Sequence, residues 1–256
     1  MHGLDEYAQI ESPIHSWETR YKIAGLFLLA FSFAFVESFY LLPFMLLVTA
    51  ILYYLSNLPR AFLASRLQIP GLILLGIVIS LPFFVGDQQT PLLSLGPIKV
   101  MEEGILRAVL IAVRFVCIIT VSLLIFGTET IVNTIKGLIG LRLPPLMADM
   151  ILLTYRYIFE MRFYLRRTQT AVRMRGFQNT GFSFNKLNTL ASLLGNLIVR
   201  SYEQSERVYK AMIIRGYGAN ANTAAQYSST GRDRLWFGAV ILVALSFVLA
   251  QLYLAA

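Results

Sequence analysis

The sequence predicts an all-α, polytopic membrane protein with about five transmembrane helices and a cytoplasmic helical region between spans 4 and 5. Three observations predict it. Of 256 residues, 57% are hydrophobic and only 14% charged. A soluble domain is nearer half apolar and a quarter charged, so lipid is the solvent for much of this chain. The apolar residues gather in stretches of crossing length. The charge is uneven: residues 128–234 hold 15 of the 22 Lys and Arg but six of the 14 Asp and Glu, a net +9, and the remainder carries −1.

The elements follow in order. Residues 1–22 are polar and mixed in charge, without a basic lead into a short apolar core, so no cleavable signal peptide is expected. Residues 23–55 form one apolar stretch, too long for a single crossing of about 20 residues. Glu37, Ser38 and Pro43 interrupt it, which predicts helices over 23–36 and 40–55 with Glu37 at the turn. A third span fits 69–85, a fourth 104–126 and a fifth 235–254. Arg20 and Lys22 beside span 1, Arg60 and Arg66 in the 56–68 loop, and the basic 128–234 stretch fall on one side. The 86–103 loop, with Lys99 against Asp87, Glu102 and Glu103, falls on the other. Cytoplasmic loops collect Lys and Arg, which puts the N-terminus in the cytoplasm and the C-terminus outside. The expected division is 1–127, a membrane region with four spans; 128–217, cytoplasmic helices; 218–234, a small, polar linker; and 235–256, the last transmembrane helix.

Within the basic region, a long helix is expected after Pro144-Pro145, with Arg156 and Glu160 as i,i+4 partners on one stripe, and a second helix over 186–215 with Glu203–Arg207 and Glu206–Lys210 pairs. The two helices end alike. Residues 166–177 set over 206–217 match Arg167 with Arg207, Ala171 with Ala211, Arg175 with Arg215, Gly176 with Gly216 and Phe177 with Tyr217. Glycine just past a helix reaches the left-handed conformation at little cost, and arginine in the last turn meets the negative end of the helix dipole. Two readings are open: two ordinary helix ends, or two ends that present an Arg and an aromatic to equivalent partner surfaces.

The remaining candidates have duller explanations. Arg107 and Arg114 share a face of span 4. Arg107 pairs with Glu103 or snorkels outward, and Arg114, deeper, is expected to make a structural pairing rather than serve a substrate. The one cysteine, Cys117, excludes an internal disulfide and reads as a small buried hydrophobe. His2 and His15 stand apart from any cysteine or carboxylate cluster, so no metal site is expected; His15 reads as a packing residue. No G-x-x-x-x-G-K-[ST] stretch occurs, so the chain does not bind ATP in that way. Nucleic acid is not expected as a partner, since no recognised motif is present.

Three segments in order resemble the transmembrane (T) component of energy-coupling factor (ECF) transporters, in particular the cobalt/nickel branch, the CbiQ family. Two Ala-Arg-Gly-like motifs appear as Met174-Arg175-Gly176 and Ile214-Arg215-Gly216, departing from alanine at the first position. Ser12, Pro13, Ile14 and His15 followed by Arg20 and Lys22 resemble the family's opening, and Pro144 and Arg156 its middle; the likeness covers residues 4–217. The resemblance implies a non-catalytic scaffold in a bacterial or archaeal cell membrane. It implies two ABC-type ATPase subunits as partners, which bind the ATP and Mg, and a small substrate-binding membrane subunit for cobalt or nickel. This chain itself would bind no cofactor. Arg175, Gly176, Phe177, Arg215, Gly216 and Tyr217 would couple it to the ATPases. A shared T component of a vitamin importer is the alternative within the family. From other classes, a membrane-embedded transferase would need clustered carboxylates or histidines, and an autonomous secondary transporter would need paired repeats around a midplane polar site.

Overall fold

The computed structural model describes residues 12–84, 91–95, 98–176, 184–217 and 230–255. Eight α-helices follow in order: α1 (Thr19–Ala34), α2 (Leu42–Leu55), α3 (Arg60–Phe84), α4 (Glu102–Gly127), α5 (Ile131–Gly140), α6 (Pro145–Met174), α7 (Phe184–Ile214) and α8 (Gly231–Ala255). A 3-10 turn, Phe39–Leu41, precedes α2, and an antiparallel hairpin of β1 (Pro91–Leu95) and β2 (Ile98–Met101) lies between α3 and α4. Among the described residues the chain is all-α apart from this hairpin, which falls in the expected 86–103 loop. It divides into two compact units, residues 1–141 with 227–256, and residues 142–226.

In the first unit α4 is central, packed by α1, α2 and α3, while α8 lies along α1. The core runs through Leu26, Leu29 and Phe33 of α1, Met45 of α2, Cys117, Val121 and Leu124 of α4, and Ala244 and Phe247 of α8. Cys117 is buried and faces Thr49, 3.6 Å away, as a small core residue does. Among the described residues three helices are long and apolar enough to cross a bilayer, over Arg60–Leu81, Gly104–Gly127 and Gly231–Leu254. The expected split of the first apolar stretch is present, with the break at residues 35–38. At 16 and 14 residues, α1 and α2 are shorter than an ordinary crossing.

Polar contacts fix how α1 lies on α8. Trp17 Nε1 donates to the Asp233 carbonyl at 3.2 Å, Ser32 Oγ to the Ala244 carbonyl at 2.7 Å, and the Glu37 and Ser38 amides both donate to Gln251 Oε1 at 3.1 Å. The two helices therefore run parallel. The stretch of α8 from Asp233 to Gln251 rises about 27 Å, close to the thickness of a hydrocarbon core of about 30 Å. With its turn, α1 reaches as far as α8 does.

One end of this unit gathers the starts of α1 and α8 and the end of α4. There the Lys22 ammonium lies 2.6 Å from Glu129 Oε1 and donates to Thr128 Oγ1 at 3.3 Å, with Lys22 fully buried. The helix α5, which falls in the expected cytoplasmic region beyond residue 127, packs on α1. Thr130 caps its start by accepting from the Asn133 amide, and Gly137 meets α1 so closely that a Cβ there would stand 3.0 Å from Thr19 Cγ2. The compact unit thus extends to Leu141.

The third span also differs from expectation. α3 starts at Arg60 rather than residue 69 and carries Pro70 in its interior. Arg60 and Arg66, expected in the 56–68 loop, lie in its first two turns. Proline removes one backbone hydrogen bond but leaves the rest of the helix intact.

Candidate functional site

The second unit is built from α6 and α7, two helices of 30 and 31 residues. Pro144 and Pro145 start α6, where a missing N–H costs nothing because the first-turn donors have no helical acceptor. Residues 142–226 contain 12 Lys and Arg against four Asp and Glu, a net charge of +8. That equals the net charge of the whole chain, so the first unit is balanced and the second alone is basic.

The two Arg-Gly ends adopt one backbone geometry. Gly176 has φ +89° and Gly216 φ +77°, both left-handed, while the other glycines in the described helices show no such φ. At the α7 end, the Gly216 amide donates to the Ile213 carbonyl at 2.9 Å and the Tyr217 amide to the Met212 carbonyl at 3.0 Å. This pair of bonds is the Schellman cap, which satisfies carbonyls left open by the last turn. At the α6 end the Gly176 amide donates to the Arg173 carbonyl at 3.0 Å, the equivalent bond. Arg175 and Arg215 each donate their amides back to an alanine carbonyl, Ala171 and Ala211, at 3.3 and 3.2 Å. The sequence correspondence is thus a correspondence of structure. Arg175, Gly176, Arg215 and Gly216 are all exposed; Phe177 lies outside the described residues.

Two contacts set the hairpin's register. The Arg200 guanidinium of α7 stacks on the Tyr164 ring of α6, 3.9 Å from its centroid, a cation–π arrangement. The Tyr217 hydroxyl donates to Asp149 Oδ2 at 2.6 Å. The helices are therefore antiparallel, and the α7 tip lies beside the start of α6. The 26 residues from Asp149 to Arg175 rise about 39 Å, so the two Arg-Gly tips stand about 40 Å apart. Between the two contacts lies an open, mainly apolar groove of about 610 Å³, with Met150, Tyr157 and Met161 on one wall and Val208, Tyr209 and Met212 on the other. The hydrogen bond to the Asp149 carboxylate, with lesser contributions from desolvation and charge repulsion, pushes the Tyr217 hydroxyl above the usual phenol range.

The other expected residues part company. Arg156 and Glu160 form no ion pair; Arg156 leans toward the Tyr157 ring, 5.9 Å from its centroid, and both charges are exposed to solvent that already satisfies them. Glu203 is likewise bypassed, Arg207 donating to Gln204 Oε1 at 3.1 Å, whereas Glu206 and Lys210 do pair at 2.8 Å. Arg114 makes a structural contact: its Nη2 donates to the Val36 carbonyl at the α1–α2 turn. That places a cation at the negative end of α1. The Arg107–Glu103 pairing lies outside the described side chains. His15 hydrogen-bonds Ser12 Oγ through its ring, 2.6 Å away, and its amide donates to the same oxygen. No group of three or more potential metal ligands converges among the described residues. Sequence reasoning missed the Lys22–Glu129 pair, because nothing local links positions 107 residues apart. Met174 and Ile214, which the sequence marks only as the first positions of the two motifs, are 85% and 86% exposed.

The sequence model of the CbiQ family, described as a cobalt transport protein, matches residues 11–226. The chain belongs to the CbiQ family. Relatives named energy-coupling factor transporter transmembrane protein EcfT cover the chain almost end to end. The one from Macrococcus caseolyticus is 24% identical over 85% of both chains. The one from Listeria monocytogenes, numbered 1, is 26% identical over 84% of both. The one from Bacillus subtilis is 25% identical over 96% of this chain and 97% of its own length. As a CbiQ family member, this chain has both Arg-Gly tips within the matched segment.

Proposed function

We propose that this chain is the transmembrane scaffold of an ATP-driven ECF importer. It joins two cytoplasmic ABC-type ATPases, which bind the ATP and Mg, to a small substrate-binding membrane subunit. The observation that carries this reading is the pair of Arg-Gly tips: one capped geometry, used twice, about 40 Å apart on a unit of net charge +8. A single partner surface needs no such duplication; two equivalent ATPases do. Arg175 and Arg215 supply a planar, permanently charged fork for acidic or carbonyl groups in one groove each. Gly176 and Gly216 stop each helix so that the arginine stands at its end, and Phe177 and Tyr217 come next in sequence. The apolar groove of α6 and α7 suits the substrate-binding subunit. The scaffold itself carries out no bond chemistry.

The charge distribution of the first unit supports an orientation. Seven of its ten Lys and Arg (Arg20, Lys22, Arg60, Arg66, Lys136, Arg232 and Arg234) lie at or within two turns of the end where the Lys22–Glu129 pair sits. Positive charge collects on the cytoplasmic side, so this end, with the N-terminus, faces the cytoplasm. The family description favours cobalt, or the chemically similar nickel, as the transported ion. The EcfT relatives' names specify no substrate, and a shared T component of a vitamin importer is the second reading.

The test is ATP-driven uptake by the reconstituted complex. Arg175→Ala and Arg215→Ala each reduce uptake while the chain remains in the membrane. Loss of one partner from a partly buried charged pair costs about 2–5 kcal/mol. Uptake at the wild-type rate in the double variant overturns the assignment. The subunit that copurifies with the complex identifies the substrate.

A further inference from the structure

We infer that the apolar anchor of each tip is the residue before the arginine, Met174 in α6 and Ile214 in α7, and that each seats in an apolar pocket with an acidic rim on its own ATPase. The inference rests on the reading above and gives that interface its chemistry. Four observations lead to it.

Both residues close their helices, one position before the arginine, under the same cap. Their exposures, 85% and 86%, are nearly equal and among the highest of any large apolar side chain in the described residues. Apolar side chains left in water cost free energy in proportion to their exposed area, and two matched cases at equivalent positions mark a surface that is covered in the assembly. The aromatic alternative is engaged elsewhere at the α7 tip. Tyr217 spends its hydroxyl on Asp149 and is 41% exposed, less than half the exposure of Ile214. Finally, the charge around the tips selects the partner: Arg173 and Arg175 bracket Met174, Arg215 follows Ile214, and the unit's +8 calls for acidic residues around the apolar pocket. Met and Ile differ in shape, one flexible and unbranched, the other β-branched and stiff, so the two pockets need not be interchangeable.

The experiment uses the full chain purified in detergent with its coexpressed ATPases. Met174→Asp and Ile214→Asp each reduce the retained ATPase from two copies to one, and the double variant retains at least tenfold less than wild type. Because the substituted side chains are solvent-exposed, the melting temperature of the isolated chain stays at the wild-type value, which separates loss of docking from loss of fold. Met174→Cys and Ile214→Cys give a second measurement. The native Cys117 is buried, so an environment-sensitive thiol dye labels the new site selectively. Its emission shifts to the blue when the purified ATPases are added. Full retention by the double Asp variant, or an unshifted dye, overturns the inference while the scaffold reading stands. A wild-type chain that retains no ATPase overturns both.

Discussion

The Lys22 ammonium lies 2.6 Å from the Glu129 carboxylate, both groups buried, and this contact ties the first turn of α1 to the segment that follows α4. Positions 107 apart in sequence thereby close one end of the first unit. A buried pair is often no more stabilising than well-packed apolar residues, but removing one partner strands the other charge. Lys22→Met or Glu129→Leu alone is expected to destabilise the chain by about 3–5 kcal/mol. The double substitution recovers most of that loss. Thermal unfolding of the four proteins in one detergent measures both effects.

Arg114 bonds the Val36 carbonyl at the turn between α1 and α2. Hydrogen bonds to charged groups contribute about 1.5–3 kcal/mol. Arg114→Met is expected to lower stability by that amount and to increase proteolytic cleavage near residues 35–38, with ATPase binding unchanged. Loss of ATPase binding at full stability would instead place Arg114 in the coupling path.

Gly176 and Gly216 differ from Gly137 in what a side chain would meet. At Gly137 a Cβ crowds Thr19; at the two tips nothing lies within 4 Å. The cost of Gly176→Ala or Gly216→Ala is therefore backbone strain alone, about 1–2 kcal/mol for a left-handed residue. Each substitution is expected to fray the last turn of its own helix, seen as faster amide exchange at residues 171–175 or 211–215. It should reduce coupling without lowering the amount of protein in the membrane. Gly137→Leu behaves differently, separating α5 from α1 and lowering the yield of folded protein.

The Tyr217–Asp149 bond holds the α7 tip beside the start of α6 and needs the phenol protonated. Its hydroxyl ionises above the ordinary range in the folded chain, so its contribution is fully present below the ordinary phenol value near 10 and disappears as pH rises through the elevated one. Tyr217→Phe is expected to loosen the tip at neutral pH, measured by a wider distribution of spin-label distances between residues 147 and 215. Wild type should match the variant only in strongly alkaline solution. Equal distributions at neutral pH would show that the bond does not hold the tip.

The sequence by itself determined the all-α class, the apolar stretches, the break near Glu37 and the two Arg-Gly helix ends. Each of these is written in a local pattern: hydropathy over one crossing, a charged or proline interruption, a glycine one residue past a helix. Glu206 and Lys210 were legible for the same reason, being one turn apart on one helix. Only the tertiary structure decided the rest. Lys22 found Glu129, Arg114 found Val36 and Tyr217 found Asp149 because packing brought distant segments together, and hydropathy carries no information about which segments meet. The attachment of α5 to α1 was decided the same way, since Gly137 let two helices approach, and only the structure shows α3 running through Pro70. The aromatic after the second glycine reads in sequence as a free anchor. The fold instead bonded its hydroxyl to Asp149 and left Ile214 the more exposed of the two.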